Sequence, residues 1–507
     1  MSRKIGVILS YVLMIFEVLS TLLLTPFIIR TLGQVEYGVY KLVSAINAYL
    51  LLLDLGVGNA IVRYIAKYRL NGEKSKERQF FAVATVFYFV ISLISLVIGV
   101  VLVFIFPKVF AKGLTDSEIK LGKILLEITM VNSAVTLGTA SYNNILVAYE
   151  KFSVSRIASI IQIVIRMILT YFALKLGWGS IGIVLVNLLM TILCRGYFML
   201  YVFIKIRLKP LFSGISFSFF KEIFIYSSFI LLQMVATMMN STVDQILIGS
   251  LVSTSAVILA VYGVGTQIVQ YFQSIGTAFT NVLMPGVVKL VENKASSNEL
   301  TKEMIKVGRI VFMMLAIIWC GFIVFGKEFI ILWAGSDNMK AYYVAMILMP
   351  AYIFTLSESI GTQILWAMNQ HKEQSILKIV IVLLNIVLTA LLISWNPLIG
   401  ATIGTFISLI IGDVVVMNII FKKKIGINLI YYYKELLKGI VPCMCIALSV
   451  GFIIRTFIPT GWLWLCLKIS IVVIVYVSTM ITFGMSKYEK EIVYSIIRKF
   501  KLIFRNK

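Results

Sequence analysis

The chain has 507 residues, of which 60% are hydrophobic and only 13% charged, against about 45–50% apolar and about 25% charged in soluble globular domains. Forty-six Lys and Arg against 22 Asp and Glu give a formal net charge of +24. This balance excludes a secreted domain, a disordered chain and a soluble two-domain enzyme. It predicts an all-α integral membrane protein whose positive charge faces the cytosol and anionic lipid rather than nucleic acid.

About 14 apolar segments are long enough to span a bilayer. Span 1 (6–29) carries Ser10, Glu17, Thr21 and Thr25 near helical spacing, and span 2 (37–62) carries Ser44, Asn47 and Asp54. Span 3 (80–106) has no charge, which also excludes the alternating strands of a membrane β-barrel. Span 4 (122–149) has Asn132, Thr136, Thr139 and Asn143, and span 5 (154–175) has Ser155, Ser159, Gln162, Arg166 and Thr170. Span 6 (179–204) contains Arg195. Span 7 (220–250) shows Gln233, Thr237, Asn240 and Asp244, and span 8 (256–288) shows Gln267, Gln270, Ser274, Thr277 and Asn281. Span 9 (307–333) precedes span 10 (341–369), which has Thr355, Glu358, Thr362 and Asn369. Spans 11 (375–395), 12 (398–421, with Asp413), 13 (437–457) and 14 (461–484) follow. The tail 487–507 reads as a basic amphipathic helix on the inner leaflet.

Counted together with the span ends that flank them, the N-terminus, the even-numbered loops and the tail hold 33 of the 46 Lys and Arg and the odd-numbered loops hold 11, the other two being Arg166 and Arg195 within spans. This bias predicts an even number of spans with both termini in the cytoplasm. The chain also repeats itself. Thr136-Leu137 and Ile145-Leu146 recur as Thr355-Leu356 and Ile364-Leu365, and Tyr37-Gly38-Val39 recurs as Tyr262-Gly263-Val264. Two pseudo-symmetric six-helix bundles follow, 1–209 and 210–430, with helices 13 and 14 in 431–486. An even number of spans per repeat relates the halves by an axis along the membrane normal.

Polar stripes have two readings. Ser, Thr, Asn and Gln bond packed helices together for about 0.6–2 kcal/mol, or they line a wetted cavity. Stripes several turns long, in both halves, favour the cavity. Glu17, Glu127, Arg166, Arg195, Glu358 and Asp413 lie inside spans, where a charge costs at least about 2.5–3.5 kcal/mol. Arg166 and Arg195 sit at matched depth on adjacent spans and suit bidentate binding of a phosphate or diphosphate. The alternative is that each pairs with a carboxylate such as Glu127. Gln162, Gln270 and Asn240 are further candidate substrate contacts. Glu17 and Glu358 are candidate ion carriers, and Asp54 and Asp244 candidate gates. Five Cys within apolar runs and the single His371 offer no metal site, and no cofactor is expected beyond a coupling ion, H+ or Na+.

The segment Pro26, Arg30, Gly33, Tyr37-Gly38 and Tyr40, continuing to Asp54-Leu55-Gly56, Gly58-Asn59-Ala60 and Arg63, resembles the opening of oligosaccharide flippases. These are the polysaccharide-transporter (Wzx-like) branch of the multidrug/oligosaccharidyl-lipid/polysaccharide exporter superfamily. Asp244-Gln245, Gly249 and Tyr262-Gly263 resemble the same family's spans 7 and 8, although Ser227-Ser228-Phe229 stands where relatives often carry Pro. The resemblance implies a V-shaped, MATE-like fold of twelve core helices plus two, in the bacterial cytoplasmic membrane. It also implies movement of an undecaprenyl-diphosphate-linked oligosaccharide to the outer leaflet by alternating access, with membrane lipids and glycan-assembly proteins as partners. The rival readings are a lipid II flippase and a cation-coupled multidrug exporter. An enzyme is not expected, because no Asp-x-Asp, His cluster or nucleotide-binding glycine loop occurs.

Overall fold

The computed structural model describes residues 3–213, 234–235, 238–239, 242–368, 370, 372–491 and 494. Most of span 7, with Gln233, Thr237 and Asn240, lies outside these residues, as do Asn369, His371 and most of the tail. Among the described residues the chain is helical without strands, and twelve helical stretches are long and apolar enough to cross a membrane. The first, Leu9–Leu70, is 62 residues long. At about 1.5 Å per residue it is about 93 Å, enough for two crossings of a core about 30 Å thick. It therefore accounts for spans 1 and 2, and each of the other stretches corresponds to one of the remaining expected spans other than span 7.

Two compact units divide the chain: Met1–Gly263 with Thr389–Ala401, and Val264–Leu388 with Thr402–Lys507. In the first unit α1 (Arg3–Leu51) turns at Gly33, where φ is 71° and ψ 173°. A Cβ there would meet nothing within 4 Å, so the backbone angle rather than crowding calls for glycine. A second break follows α1. Leu55 and Gly56 both have left-handed φ, 53° and 71°, before α2 (Val57–Leu70) begins. Asp54 stands immediately ahead of this break.

α3 (Lys74–Phe110) shows why the lipid-facing side of a helix is hard to read from sequence. Its buried positions Tyr88, Ile91, Ser95, Gly99, Val103 and Phe106 recur every three or four residues, while Phe89, Val97 and Phe104 are exposed. Both faces are apolar because lipid covers one and protein the other. α4 (Asp116–Gly138) opens with a Thr115/Glu118 capping box and is separated from α5 (Ala140–Ala148) by Thr139. α6 (Phe152–Lys175) and α7 (Gly179–Tyr201) pack together. The Glu36 carboxylate accepts hydrogen bonds from the Ser180 N–H at 2.6 Å and its hydroxyl at 2.7 Å. It thus fills two donor positions at the start of α7 and complements the positive helix end. Polar stripe residues also join helices here: Ser133 donates to Asn47 at 2.6 Å and Ser155 to Asn143 at 2.9 Å.

α8 (Ser255–Glu292) crosses from the first unit into the second. α9 (Ser297–Ala334) is buried along most of its length. α10 (Ala341–Ser357) is followed directly by α11 (Ser359–Ala367), with Glu358 as the junction. Thr139 and Glu358 interrupt their spans at positions 219 residues apart, the same shift as the Thr136/Thr355 repeat. The repeated sequence thus carries a repeated helix break.

α12 (Lys372–Ile393) and α13 (Pro397–Leu409) come next. A π-helical turn, Ile410–Val416, leads into α14 (Met417–Lys424). The short α15 (Leu429–Leu437), α16 (Ile440–Phe457) and α17 (Trp462–Thr479) all pack on α9. Two buried ion pairs fix this arrangement. Lys468 of α17, 0% exposed, donates to Glu328 of α9 at 2.8 Å. Arg309 of α9 has all five N–H groups engaged. Nε and Nη2 bind Glu489 at 2.6 and 3.2 Å, Nη2 also donates to the Gly484 carbonyl at 2.8 Å, and Nη1 donates to the carbonyls of Lys438 (2.9 Å) and Glu435.

Candidate functional site

The structure places the expected site residues in several distinct settings. In the first unit Arg166 is half-buried on α6, within electrostatic reach of Tyr40. Arg195 is half-buried on α7, within electrostatic reach of Asp54 and Tyr88. Neither guanidinium forms an ion pair among the described residues, and the Glu127 carboxylate is on an exposed residue. The expectation that Glu127 neutralises them finds no contact here.

Around Arg195 the chain builds a polar cluster. The Tyr88 hydroxyl donates to Asp54 Oδ1 at 2.7 Å, and Asn144 Nδ2 donates to the Tyr88 oxygen at 3.4 Å. Gly58 allows this approach, since a Cβ there would lie 2.8 Å from Asn144 Nδ2. Two residues considered separately in the sequence, Asp54 and Arg195, are therefore brought together by two that it did not single out. Tyr88 sits inside the uncharged run of span 3, and its hydroxyl is the only signal it gives. Asn144 adjoins Asn143, which the stripe spacing selected instead.

Gln162 lies between α6 and α7, where its amide donates to the Met190 carbonyl at 3.3 Å. It also lines a cavity of about 490 Å³ with Ser153, Met190, Cys194 and Tyr197. Glu17 is exposed on α1, and its carbonyl accepts from the Ser20 and Thr21 hydroxyls. Asp244 is buried, accepting from the Tyr262 hydroxyl at 2.5 Å and from the Thr389 hydroxyl at 3.1 Å. In the second unit Gln270 is exposed on α8. Asn240 lies outside the described residues.

Glu358 is 2% exposed. Tyr433 donates to its Oε1 and Asn418 Nδ2 to its Oε2 at 2.8 Å. Asp413, in the π-helical turn, is bound by Lys378 at 2.6 and 2.8 Å. No group of three or more potential metal ligands occurs among the described residues. What these residues provide chemically is hydrogen bonding, two cations that no carboxylate contacts directly among the described residues, and buried carboxyl groups.

Similarity to solved structures covers nearly the whole chain. A lipid II flippase, MurJ, in an inward closed conformation matches 94% of this chain and 98% of its own at 17% identity and TM-score 0.72. An inward-facing multidrug resistance MATE transporter of the MOP superfamily matches 80% of this chain and 95% of its own at 14% identity and TM-score 0.58. The Vibrio cholerae MATE transporter VcmN matches 85% and 98% at 15% identity and TM-score 0.57. The fold is therefore the all-helical fold of MurJ and MATE transporters. No curated protein sequence matches. A family model described as "Polysaccharide biosynthesis protein" matches residues 4–291, more than half of the chain, and the protein belongs to that family.

Proposed function

We propose that this protein moves an undecaprenyl-diphosphate-linked oligosaccharide from the cytoplasmic to the outer leaflet of the bacterial cytoplasmic membrane by alternating access, in surface polysaccharide biosynthesis. The observation that carries the reading is the pair Arg166 and Arg195. Two permanently charged groups are held half-buried in apolar helices without an ion-pair partner among the described residues. An anionic ligand explains them better than helix packing does, because a partly buried cation that no carboxylate contacts directly is costly. A diphosphate offers oxygens for bidentate guanidinium contacts. The polyprenyl tail needs only lipid, and the sugars need hydrogen-bonding groups such as Gln162 and Gln270. The protein acts as a transporter and changes no covalent bond. The bias of Lys and Arg toward one set of loops puts both termini in the cytoplasm.

A lipid II flippase is the second reading, favoured by the length over which MurJ superposes. Both substrates carry a polyprenyl diphosphate and differ in the head group. A multidrug exporter fits less well, since organic cations call for acidic or aromatic surroundings. The test is translocation in proteoliposomes with a fluorescent lipid-linked oligosaccharide and with fluorescent lipid II. Transport of the first alone supports the proposal, transport of the second alone supports the rival, and transport of neither removes both.

A further inference from the structure

Glu358 occupies the break between α10 and α11, and three elements converge on it. From α15, Tyr433 donates to Oε1, and Tyr432 donates to the neighbouring Ser357 carbonyl at 3.1 Å. From α14, Asn418 donates to Oε2. The same Asn418 nitrogen lies 2.8 Å from the Tyr433 oxygen and 2.7 Å from the Val414 carbonyl. Its two hydrogens therefore serve three acceptors, and its Oδ1 is buried without a donor. From α9, Gly308 packs against the Ser357 carbonyl, and the adjacent Arg309 is bound by Glu489. The charged groups nearby are Asp413, which acts on Glu358 electrostatically, and Lys378, which binds Asp413.

The carboxyl group is thus buried, met by two neutral donors, and without a cation in contact among the described residues. The atoms around it are also poor sodium ligands. Tyr433 and Asn418 present hydrogens to it, whereas a hard metal ion needs several oxygens.

We propose that Glu358 binds a proton, and that its occupancy switches a latch in which Tyr433 and Asn418 hold α15 and α14 to the break in span 10. The step is addition of H+ from water to a carboxylate oxygen, with no other reactant. When the carboxylate is ionised it accepts two charge-assisted hydrogen bonds, about twice as strong as neutral ones, and the latch is closed. When it is protonated those bonds weaken, a new O–H points at groups already offering hydrogens, and the latch loosens. Acidification therefore frees α15, the segment that leads into the last two membrane helices. The latch is independent of what the protein transports and goes beyond the glycan reading.

Hydrogen exchange of the purified full-length protein, corrected for the intrinsic pH dependence of exchange, tests it. Backbone amides of 429–437 should lose protection as pH falls in the wild type. In Glu358→Gln, which stays neutral, they should be equally loose at every pH. Glu358→Asp keeps a carboxyl group and should keep a pH response, which serves if the Gln variant does not fold. A protonated-carboxyl infrared band should appear on acidification and vanish in Glu358→Gln. Added Na+ at constant ionic strength should move neither signal. A pH response that persists in Glu358→Gln, protection that is pH-independent in the wild type, or a sodium-dependent shift would each overturn the proposal.

Discussion

The Arg309–Glu489 pair gives a quantitative test of the packing account. Both side chains are nearly inaccessible, with relative exposures of 7% and 3%. Glu489 supplies two of the five acceptors around the guanidinium, and backbone carbonyls of Glu435, Lys438 and Gly484 supply the others. Glu489 also closes a capping box, since Oε2 accepts from the Ser486 N–H at 2.7 Å. Glu489→Ala leaves a buried guanidinium with carbonyl dipoles but no counter-charge. Breaking one partner of a buried pair costs about 3–5 kcal/mol. At 1.4 kcal/mol per tenfold, amides of 429–437 and 480–491 should exchange roughly 100 to 4,000 times faster if opening there is local. The double variant Arg309→Met/Glu489→Leu removes both charges and should recover most of the loss, because apolar replacement of a buried pair is often neutral. Hydrogen exchange with thermal unfolding in detergent reads both variants. A change of less than about threefold in Glu489→Ala, under roughly 0.7 kcal/mol, would refute the reasoning.

Lys468→Met leaves Glu328 without its cation, while the Gly461 N–H still donates to it at 3.2 Å. It should lower the melting temperature, and Lys468→Met/Glu328→Leu should restore it. Gly113→Ala would put a Cβ 2.1 Å from the Gly249 carbonyl oxygen and should destabilise by about 1–3 kcal/mol or more. Folded yield and melting would show it, whereas Gly33→Ala should act through backbone strain without a clash. Tyr88→Phe removes the donor to Asp54, a hydrogen bond to a charged group worth about 1.5–3 kcal/mol. It should reduce stability modestly and leave membrane insertion unchanged.

The spans were legible because a membrane crossing is a one-dimensional signal: about 20 apolar residues suffice, and local charge marks each end. The Thr139 and Glu358 helix breaks fall on matched positions of the sequence repeat. What the sequence hid was pairing across distance. Nothing in the sequence around Arg309 in span 9 or Lys468 in span 14 names a partner, yet each is buried against a carboxylate on another helix, 180 and 140 residues away. Polar stripes gave direction without partner: Asn47, Asn143 and Gln162 bond across helices, while Gln270 is exposed. Tyr88, Asn144, Asn418 and Tyr433 could not be chosen from sequence, because each matters through a neighbour that only the fold supplies.

Fluorescent undecaprenyl-diphosphate oligosaccharide, followed across proteoliposome leaflets, measures the central claim directly. The wild type should equilibrate the probe, and Arg166→Gln and Arg195→Gln, folded and inserted, should each slow it by at least about tenfold, the loss of one charged contact of about 1.5–3 kcal/mol. Wild-type rates in both variants would contradict the account.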